Sequence, residues 1–172
     1  DSTGYSKCEN RRMIPVRVGI GIDVHSLKMG RKLILGGVEI KYTMGLEGHS
    51  DGDVLTHAII DGLLGGSALD DIGVHFASTD HSYSGVSSLI LLGETIDKCR
   101  DSGWSPIFLD ATIIAQSPVL APHVADMKNE ISRVLSLSDT QINIKSTTTD
   151  NLGYIGNGEG IACHAVVTME AT

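Results

Sequence analysis

Apolar side chains recur at every second position near the start of the chain, at Ile14, Val16, Val18, Ile20 and Ile22. A period of two is the signature of a strand, whose successive side chains leave on opposite faces. This strand is expected to end at Asp23-Val24-His25, ahead of a basic loop from Lys28 to Lys32. Leu33-Ile34-Leu35 and Val38-Glu39-Ile40 flank Gly36-Gly37 and read as a short hairpin. A loop from Gly45 to Gly52 follows, in which Ser50 or Asp51 can cap the next helix. From Asp53 to Leu64 the period changes. Val54, Leu55, Ala58, Ile59 and Leu63 fall at helical spacing, and Gly65-Gly66 is the expected stop. A polar loop from Leu69 to Ser84 leads to a second helix, Val86 to Arg100, marked by Leu89, Leu92, Ile96 and Cys99. A strand is predicted over Ile107 to Ala115. A loop bracketed by Ser117-Pro118 and Pro122 comes next, and Pro122 suits the first turn of a helix reaching Leu135. Ile142 to Thr149 and Ile161 to Met169 read as the last strands, around a glycine-rich turn from Gly153 to Gly160. The pattern predicts a single α+β domain over residues 13–172, a mixed sheet covered by helices, without internal repeat or linker. Residues 1–12 are polar and aperiodic, and are expected to be a disordered leader or expression remnant outside the fold.

Composition narrows the function classes. A chain of 172 residues is long enough for one well-buried core. Its net charge of -8 and pI near 5.2 argue against a general nucleic-acid or anionic-membrane binder. No apolar run approaches the roughly 18 residues of a membrane span, and no apolar signal region stands near the start. Cys8, Cys99 and Cys163 are odd in number and widely spaced, which favours reduced thiols over a disulfide framework. Twenty glycines with only 4% aromatic residues point to many tight turns rather than a large aromatic core.

The chemistry begins at Asp23 and His25. Two apart on a strand, they aim a carboxylate and an imidazole at one spot, two of the three protein ligands of an open zinc site. His57, on the predicted helix, is the candidate third. That mixture suits Zn²⁺ better than the oxygen-seeking Mg²⁺. Asp53, His57 and Asp61 sit four apart on one helix face, so Asp61 is placed to orient the His57 imidazole, or to stand free in solvent. His49, Asp51 and Asp53 form a second polar cluster, read either as loop and cap hydrogen bonding or as chemistry. Lys145 to Asp150 brings a cation, hydroxyls, backbone amides and a carboxylate together. It is suited to a diphosphate with Asp150 holding a hard cation, although β-strands favour threonines without any ligand. Gly153 to Gly160 lacks the strand-before, helix-after setting of a dinucleotide fingerprint, and no Walker-type loop is present.

Taken in order, these pieces resemble the 2-C-methyl-D-erythritol 2,4-cyclodiphosphate synthase family of the non-mevalonate isoprenoid pathway. The resemblance runs from Val16 to about Met169. It is carried by Gly21-Ile-Asp-Val-His25, Gly36-Gly-Val38, His49-Ser-Asp-Gly-Asp53 with His57, Asp71-Ile-Gly73, Ile113-Ile-Ala-Gln116, Lys145 to Thr149 and Gly158-Glu-Gly-Ile-Ala-Cys163.

The resemblance implies a homotrimer with active sites between neighbouring subunits. It implies Zn²⁺ on Asp23, His25 and His57, and a Mg²⁺ or Mn²⁺ ion at Asp150 bridging substrate phosphates. His49 and Thr148 fall where the family stabilises the transition state. Ser50, Asp71, Gly73, Phe76 and Asp80 fall at substrate-binding positions, as do Thr149, Tyr154 and Asn157. Ala115, Gln116, Ser117, Pro118, Val119, Leu120 and Ala121, with Thr147, match a cytidine pocket supplied by the adjacent subunit. The implied reaction is intramolecular phosphoryl transfer: the 2-phosphate of 4-diphosphocytidyl-2-C-methyl-D-erythritol 2-phosphate attacks the β-phosphorus, CMP leaves and a cyclic diphosphate closes. The chain departs from the family where Asp150 replaces the usual Glu, Asn157 an arginine, Val119 a lysine, and Ala77-Ser78 a Pro-Asp pair. Two further classes share the metal site: a non-catalytic zinc-stabilised trimer binding isoprenoid diphosphate or nucleotide, and a zinc phosphoester hydrolase. The expected location is the cytoplasm of a bacterium or a plastid-type organelle.

Overall fold

A computed structural model describes residues 14–172. The expectation for residues 1–12 lies outside the described residues, as does Cys8. The strands are β1 (Val16–Met29), β2 (Leu33–Leu35), β3 (Val38–Ile40), β4 (Met44–Leu46), β5 (Trp104–Ile114), β6 (Ile142–Thr147) and β7 (Gly160–Ala171). The helices are α1 (Val54–Ser67), α2 (Ile72–His75), α3 (Ser88–Asp101), α4 (Val124–Leu135) and α5 (Gly153–Gly156), with 3₁₀ turns at His81–Tyr83 and Ala121–His123. Five strands form one mixed sheet in the order β4-β1-β7-β5-β6, antiparallel except for the parallel pair β5-β6, and β2-β3 is a separate hairpin. This is the α+β domain that the sequence predicts.

The sheet is covered on one face only. Helix α1 packs across β1 and β7, α3 lies beside α1 and β5, and α4 lies against β6 and α3. The core fills this layer with Leu55, Ile59, Leu63, Leu92, Leu109, Ile113, Met127 and their neighbours. The apolar alternation of β1 does not face it. Val16, Val18, Ile20, Ile22 and Val24 are 47–65% exposed on the opposite face of the sheet. The residues that face α1 are the interleaved Gly19, Gly21, Asp23, His25 and Leu27. Their smallness has a steric reason. A Cβ on Gly21 would lie 1.8 Å from the Ala58 carbonyl oxygen, and one on Gly19 1.8 Å from that of Gly62. Backbone packs on backbone here, so these glycines set the approach of helix to sheet rather than making turns.

Several boundaries differ from expectation, each for a local reason. Strand β1 runs on to Met29 because Leu27, Lys28 and Met29 pair with Leu46, Gly45 and Met44, a strand inside the expected loop. The cap of α1 is Asp53 rather than Ser50 or Asp51, and its carboxylate accepts from the Thr56 N–H. Gly65-Gly66 does not stop α1, which continues to Ser67 and closes on Ala68 in the left-handed conformation. The polar loop after α1 contains α2, the glycine-rich turn contains α5, and Pro122 lies in a 3₁₀ turn ahead of α4. Cys99 and Cys163 are buried, unpaired thiols, as the cysteine spacing implies, and burial pushes both thiols above the ordinary range.

Candidate active site

The parity of β1 decides where the metal-ligand candidates go. Asp23 and His25 continue the inward row of Gly19 and Gly21, so they emerge beside α1 just where its first full turn presents His57. Asp23 Oδ2 is 2.7 Å from His25 Nε2 and 3.1 Å from His57 Nδ1, and the two nitrogens are 3.2 Å apart. Tetrahedral coordination at about 2.0–2.1 Å would place ligand atoms about 3.3 Å from one another. Three atoms already clustered near that spacing fit a zinc-sized ion with small opening movements. The chemistry of the donors agrees: one carboxylate oxygen, two imidazole nitrogens, and a fourth side open to a cavity. Among the described residues this is the one cluster of three or more His, Cys, Asp or Glu donors close enough for an ion.

The nitrogens that face away are also engaged. His25 Nδ1 meets the Glu47 carbonyl oxygen, which fixes that ring with Nε2 toward the cluster. His57 Nε2 lies 2.9 Å from both Ser50 Oγ and Ser88 Oγ. Burial by itself would raise the Asp23 carboxyl, but hydrogen bonds and charge from His25 and His57 outweigh it and hold the carboxyl below the usual range. Burial would lower His25, and the bond and charge of Asp23 overcome this and raise it.

A cavity of about 430 Å³ opens over the cluster, lined by Asp23, His25, His49, Ser50, His57, Gly73 and Phe76, with Ile72, Ala77, Ser78, Thr79, Tyr83 and Leu91. Most sequence-predicted residues of the first half of the chain therefore meet in one place. His49 Nε2 donates to the Asp80 carbonyl at 2.9 Å, which holds the ring at the rim. Asp71 and Asp80 stand outside the lining, and their carboxylates cap α2 and the 3₁₀ turn at His81. Phe76 stacks edge-on against Tyr83 at 5.4 Å, a wall the sequence did not reveal.

Three readings left open by the sequence are decided by contacts, the capping reading holding for Asp53. Asp61 does not orient His57: its Oδ1 accepts from the Ile72 N–H at 2.9 Å and anchors α2. Asp53 is wholly buried away from the cavity. It accepts from Gly36 N, Gly37 N, Thr56 N and Thr56 Oγ1 at 2.7–3.0 Å, clamping the β2-β3 turn onto α1. Within the Lys145 to Asp150 cluster, period two sends Lys145 to the open sheet face, where it pairs with Asp110. Ser88 is the residue missed. Two serines before an apolar run signal a helix start, but nothing in the sequence ties them to His57.

The second half of the predicted site stands apart. Ala115, Gln116, Pro118, Val119, Leu120, Ala121, Thr147 and Thr148 line a separate cavity of about 150 Å³, with Ser146. Ser117 precedes Pro118 across a cis peptide bond. Asp150 accepts from Thr148 Oγ1 at 3.2 Å, Thr149 Oγ1 donates to the Leu152 carbonyl, and Asn157 donates to Glu159. Tyr154 is half exposed on α5. The two cavities share no lining residue.

Fold and site together define a single-domain α+β protein built around a candidate metal centre. Residues 16–170 match the YgbB family. The 2-C-methyl-D-erythritol 2,4-cyclodiphosphate synthase of Syntrophomonas wolfei is 51% identical over 155 residues, covering 90% of this chain and 99% of that protein. The bifunctional IspDF from Campylobacter jejuni superposes with a TM-score of 0.89 at 40% identity. That match covers 93% of this chain and 43% of the two-function chain. A CDP complex of IspF from Plasmodium falciparum gives a TM-score of 0.80 at 31% identity, covering 91% and 97%. The chain belongs to the YgbB family, and its curated relatives here are 2-C-methyl-D-erythritol 2,4-cyclodiphosphate synthases.

Proposed function

We propose that this chain is a metal-dependent lyase that cyclises 4-diphosphocytidyl-2-C-methyl-D-erythritol 2-phosphate to 2-C-methyl-D-erythritol 2,4-cyclodiphosphate and releases CMP. The observation that carries the proposal is the convergence of Asp23, His25 and His57 on one point under an open cavity, in a chain of this family. Zn²⁺ held by these three residues would supply Lewis acidity toward a phosphate oxygen. Asp23, with its carboxyl below the ordinary range, keeps a negative ligand there across physiological pH.

The remaining roles follow from geometry. His49 donates its Nε2 proton to the Asp80 carbonyl, which holds the ring at the cavity rim, in the lining that a phosphate would meet. Ser50 Oγ, between His57 and the cavity, is placed to hydrogen-bond substrate, and the Gly73 backbone and the Phe76 ring bound the space for the polyol. Holding both phosphates of one molecule in reacting distance supplies much of the rate by removing orientational freedom beforehand. Asp71 and Asp80 hold the cavity rim through their capping bonds, and reach substrate only by giving these up.

The cytidine half belongs to a neighbour in this reading. Support comes from two cavities with no common lining residue, and from the exposed row Val16, Val18, Ile20, Ile22 and Val24, which a second copy would bury. We place this chain in a homotrimer in which the loop Ala115 to Ala121, with Thr147 and Thr148, faces the next subunit's metal cavity. The cytidine specificity follows the CDP complex of the Plasmodium relative. The Asn151 N–H donates to Gln116 Oε1 at 3.1 Å, which ties the segment after Thr149 to that loop, and Thr149, Tyr154 and Asn157 are assigned to substrate binding on the family resemblance. For Mg²⁺ or Mn²⁺ the fit is incomplete. Among the described residues Asp150 belongs to no cluster of three or more such donors, so such an ion would take oxygens from substrate, and no step is assigned to it.

One incubation tests the proposal: purified protein with the cytidylylated 2-phosphate, Zn²⁺ and Mg²⁺, followed by product identification. CMP with the cyclic diphosphate supports it. Linear products would mark a phosphoester hydrolase, and intact substrate despite tight binding a non-catalytic metal-stabilised module. No helix among the described residues is long and apolar enough to cross a membrane.

A further inference from the structure

Behind His57 lies a buried relay that the reaction above does not use. Ser88 begins α3 and is fully buried. Its Oγ is 2.9 Å from His57 Nε2, and it also donates to an oxygen of Asp51. The other Asp51 oxygen accepts from the Ser88 N–H at 2.9 Å. Asp51 thus takes the place of an N-cap for α3, whose own capping residue Ser87 makes no side-chain bond. Proton positions follow from these partners. The Asp51 oxygen accepts, so the Ser88 hydroxyl proton is given to it. That leaves Ser88 Oγ with lone pairs alone toward His57, and the imidazole must donate its Nε2 proton. A neutral imidazole that carries its proton on Nε2 has its free pair on Nδ1, the atom 3.1 Å from Asp23 Oδ2.

We infer that Ser88 is a positioning residue for the metal centre: with Asp51 behind it, its hydroxyl fixes His57 in the tautomer and ring orientation that present Nδ1 to Zn²⁺. The inference rests on the metal reading of Asp23, His25 and His57. It adds a consequence for Ser50, whose Oγ lies 3.3 Å from Ser88 Oγ and 2.9 Å from His57 Nε2. With the imidazole Nε2 a donor, the Ser50 hydroxyl has no acceptor on His57, and its proton is available to Ser88 Oγ or toward the cavity. The backbone half of the Asp51 contact survives removal of the Ser88 hydroxyl, so Ser88→Ala separates positioning from anchoring of the helix.

The test is zinc affinity by chelator competition, with the visible spectrum of the Co²⁺-loaded protein and thermal melting, for wild type, Ser88→Ala, Asp51→Asn, the double variant and His57→Ala. Loss of a partner behind a metal-bound histidine costs about 10- to 100-fold in affinity. Ser88→Ala is expected to raise the zinc dissociation constant at least tenfold and to alter the Co²⁺ ligand-field bands. Asp51→Asn should weaken zinc in the same direction, and the double variant should be no weaker than Ser88→Ala, because Asp51 acts through Ser88. Ser88→Ala with a lower melting temperature but zinc affinity within twofold of wild type and an unchanged spectrum overturns the inference, as do fully additive losses in the double variant. If Ser88→Ala fails to fold, Asp51→Asn with wild-type affinity overturns it instead. Wild-type protein that binds no zinc, or His57→Ala that binds it normally, overturns the metal reading itself.

Discussion

Replacing Gly21 with alanine adds one methyl group at the closest approach of β1 and α1. The new Cβ would sit 1.8 Å from the Ala58 carbonyl oxygen and 2.7 Å from the Gly62 nitrogen. Both are backbone atoms, so no rotamer change relieves the contact. Restoring an ordinary carbon–oxygen separation moves helix from strand by about 1.2 Å or more, since close-packed interiors have no slack to absorb it. Overpacking of this kind costs about 1–3 kcal/mol, and backbone against backbone places it near the top, about 3 kcal/mol. For a domain of this size that lowers the melting temperature by roughly 6–12 °C. The second effect is on the metal. Asp23 and His25 ride on β1 and His57 on α1, so the same movement opens one side of the ligand triangle by more than the roughly 0.5 Å a site tolerates. Zinc affinity is expected to fall tenfold or more, about 1.4 kcal/mol. The assay is denaturant unfolding and chelator competition on the same preparation. Gly93→Ala is the control: it lies within α3 with nothing within 4 Å of the added carbon, and should stabilise by about 0.5–1 kcal/mol through helix propensity. Gly21→Ala with wild-type unfolding midpoint and wild-type zinc affinity would refute the packing argument.

His57→Ala should remain folded by circular dichroism while losing bound zinc and turnover; a zinc-loaded, active variant would remove His57 from the site. Asp53→Ala strips partners from three buried or half-buried N–H groups and a hydroxyl, and at about 1–3 kcal/mol for each of the four orphans it should destabilise by about 4 kcal/mol or more, read from urea unfolding. Raised above its ordinary 6.5, His25 stabilises the metal-free protein fully below that pH, and the contribution disappears as pH rises through the folded value. Asp23, lowered from 3.8, contributes above that pH and loses its effect as pH falls through the folded value. The pair therefore helps the metal-free protein most between 3.8 and 6.5, whereas zinc affinity should climb with pH, about tenfold per unit, while His25 still carries the proton that zinc displaces, and level off once pH passes its raised folded value; a flat zinc–pH profile below that value would contradict the pairing. Ile20→Asp places a charge in the exposed apolar row of β1 and should convert a species of three times 18.2 kDa into monomers by light scattering, with wild-type protein already monomeric as the refuting result.

Element types were legible because local periodicity survives folding. The β1 alternation, the helical spacing from Val54 onward and the Asp-x-His pair are each written in residues a few positions apart, and strand and helix formed where these periods indicated. The match of Asp23 and His25 to one side of a strand needs only the alternation of side chains. His57 was reachable for the same reason, as a donor in the first turns of a helix recognisable by its apolar spacing. What the chain could not announce was which face of β1 turns inward. Apolar alternation ordinarily points to the core, yet here the valines and isoleucines lie outside and the glycines inside. That choice belongs to α1, whose Ala58, Gly62 and Gly66 offer a surface flat enough for strand backbone to touch. The same holds for Asp61 and Asp53, sorted respectively to α2 and to the Gly36-Gly37 turn by contacts 11 and 16–17 residues away, and for Ser88, brought 31 residues through the chain to the back of His57. Sequence determined the ligand types and the elements that carry them. Tertiary packing decided which face they share and what stands behind them, because burial and long-range hydrogen bonds depend on neighbours that local spacing does not encode.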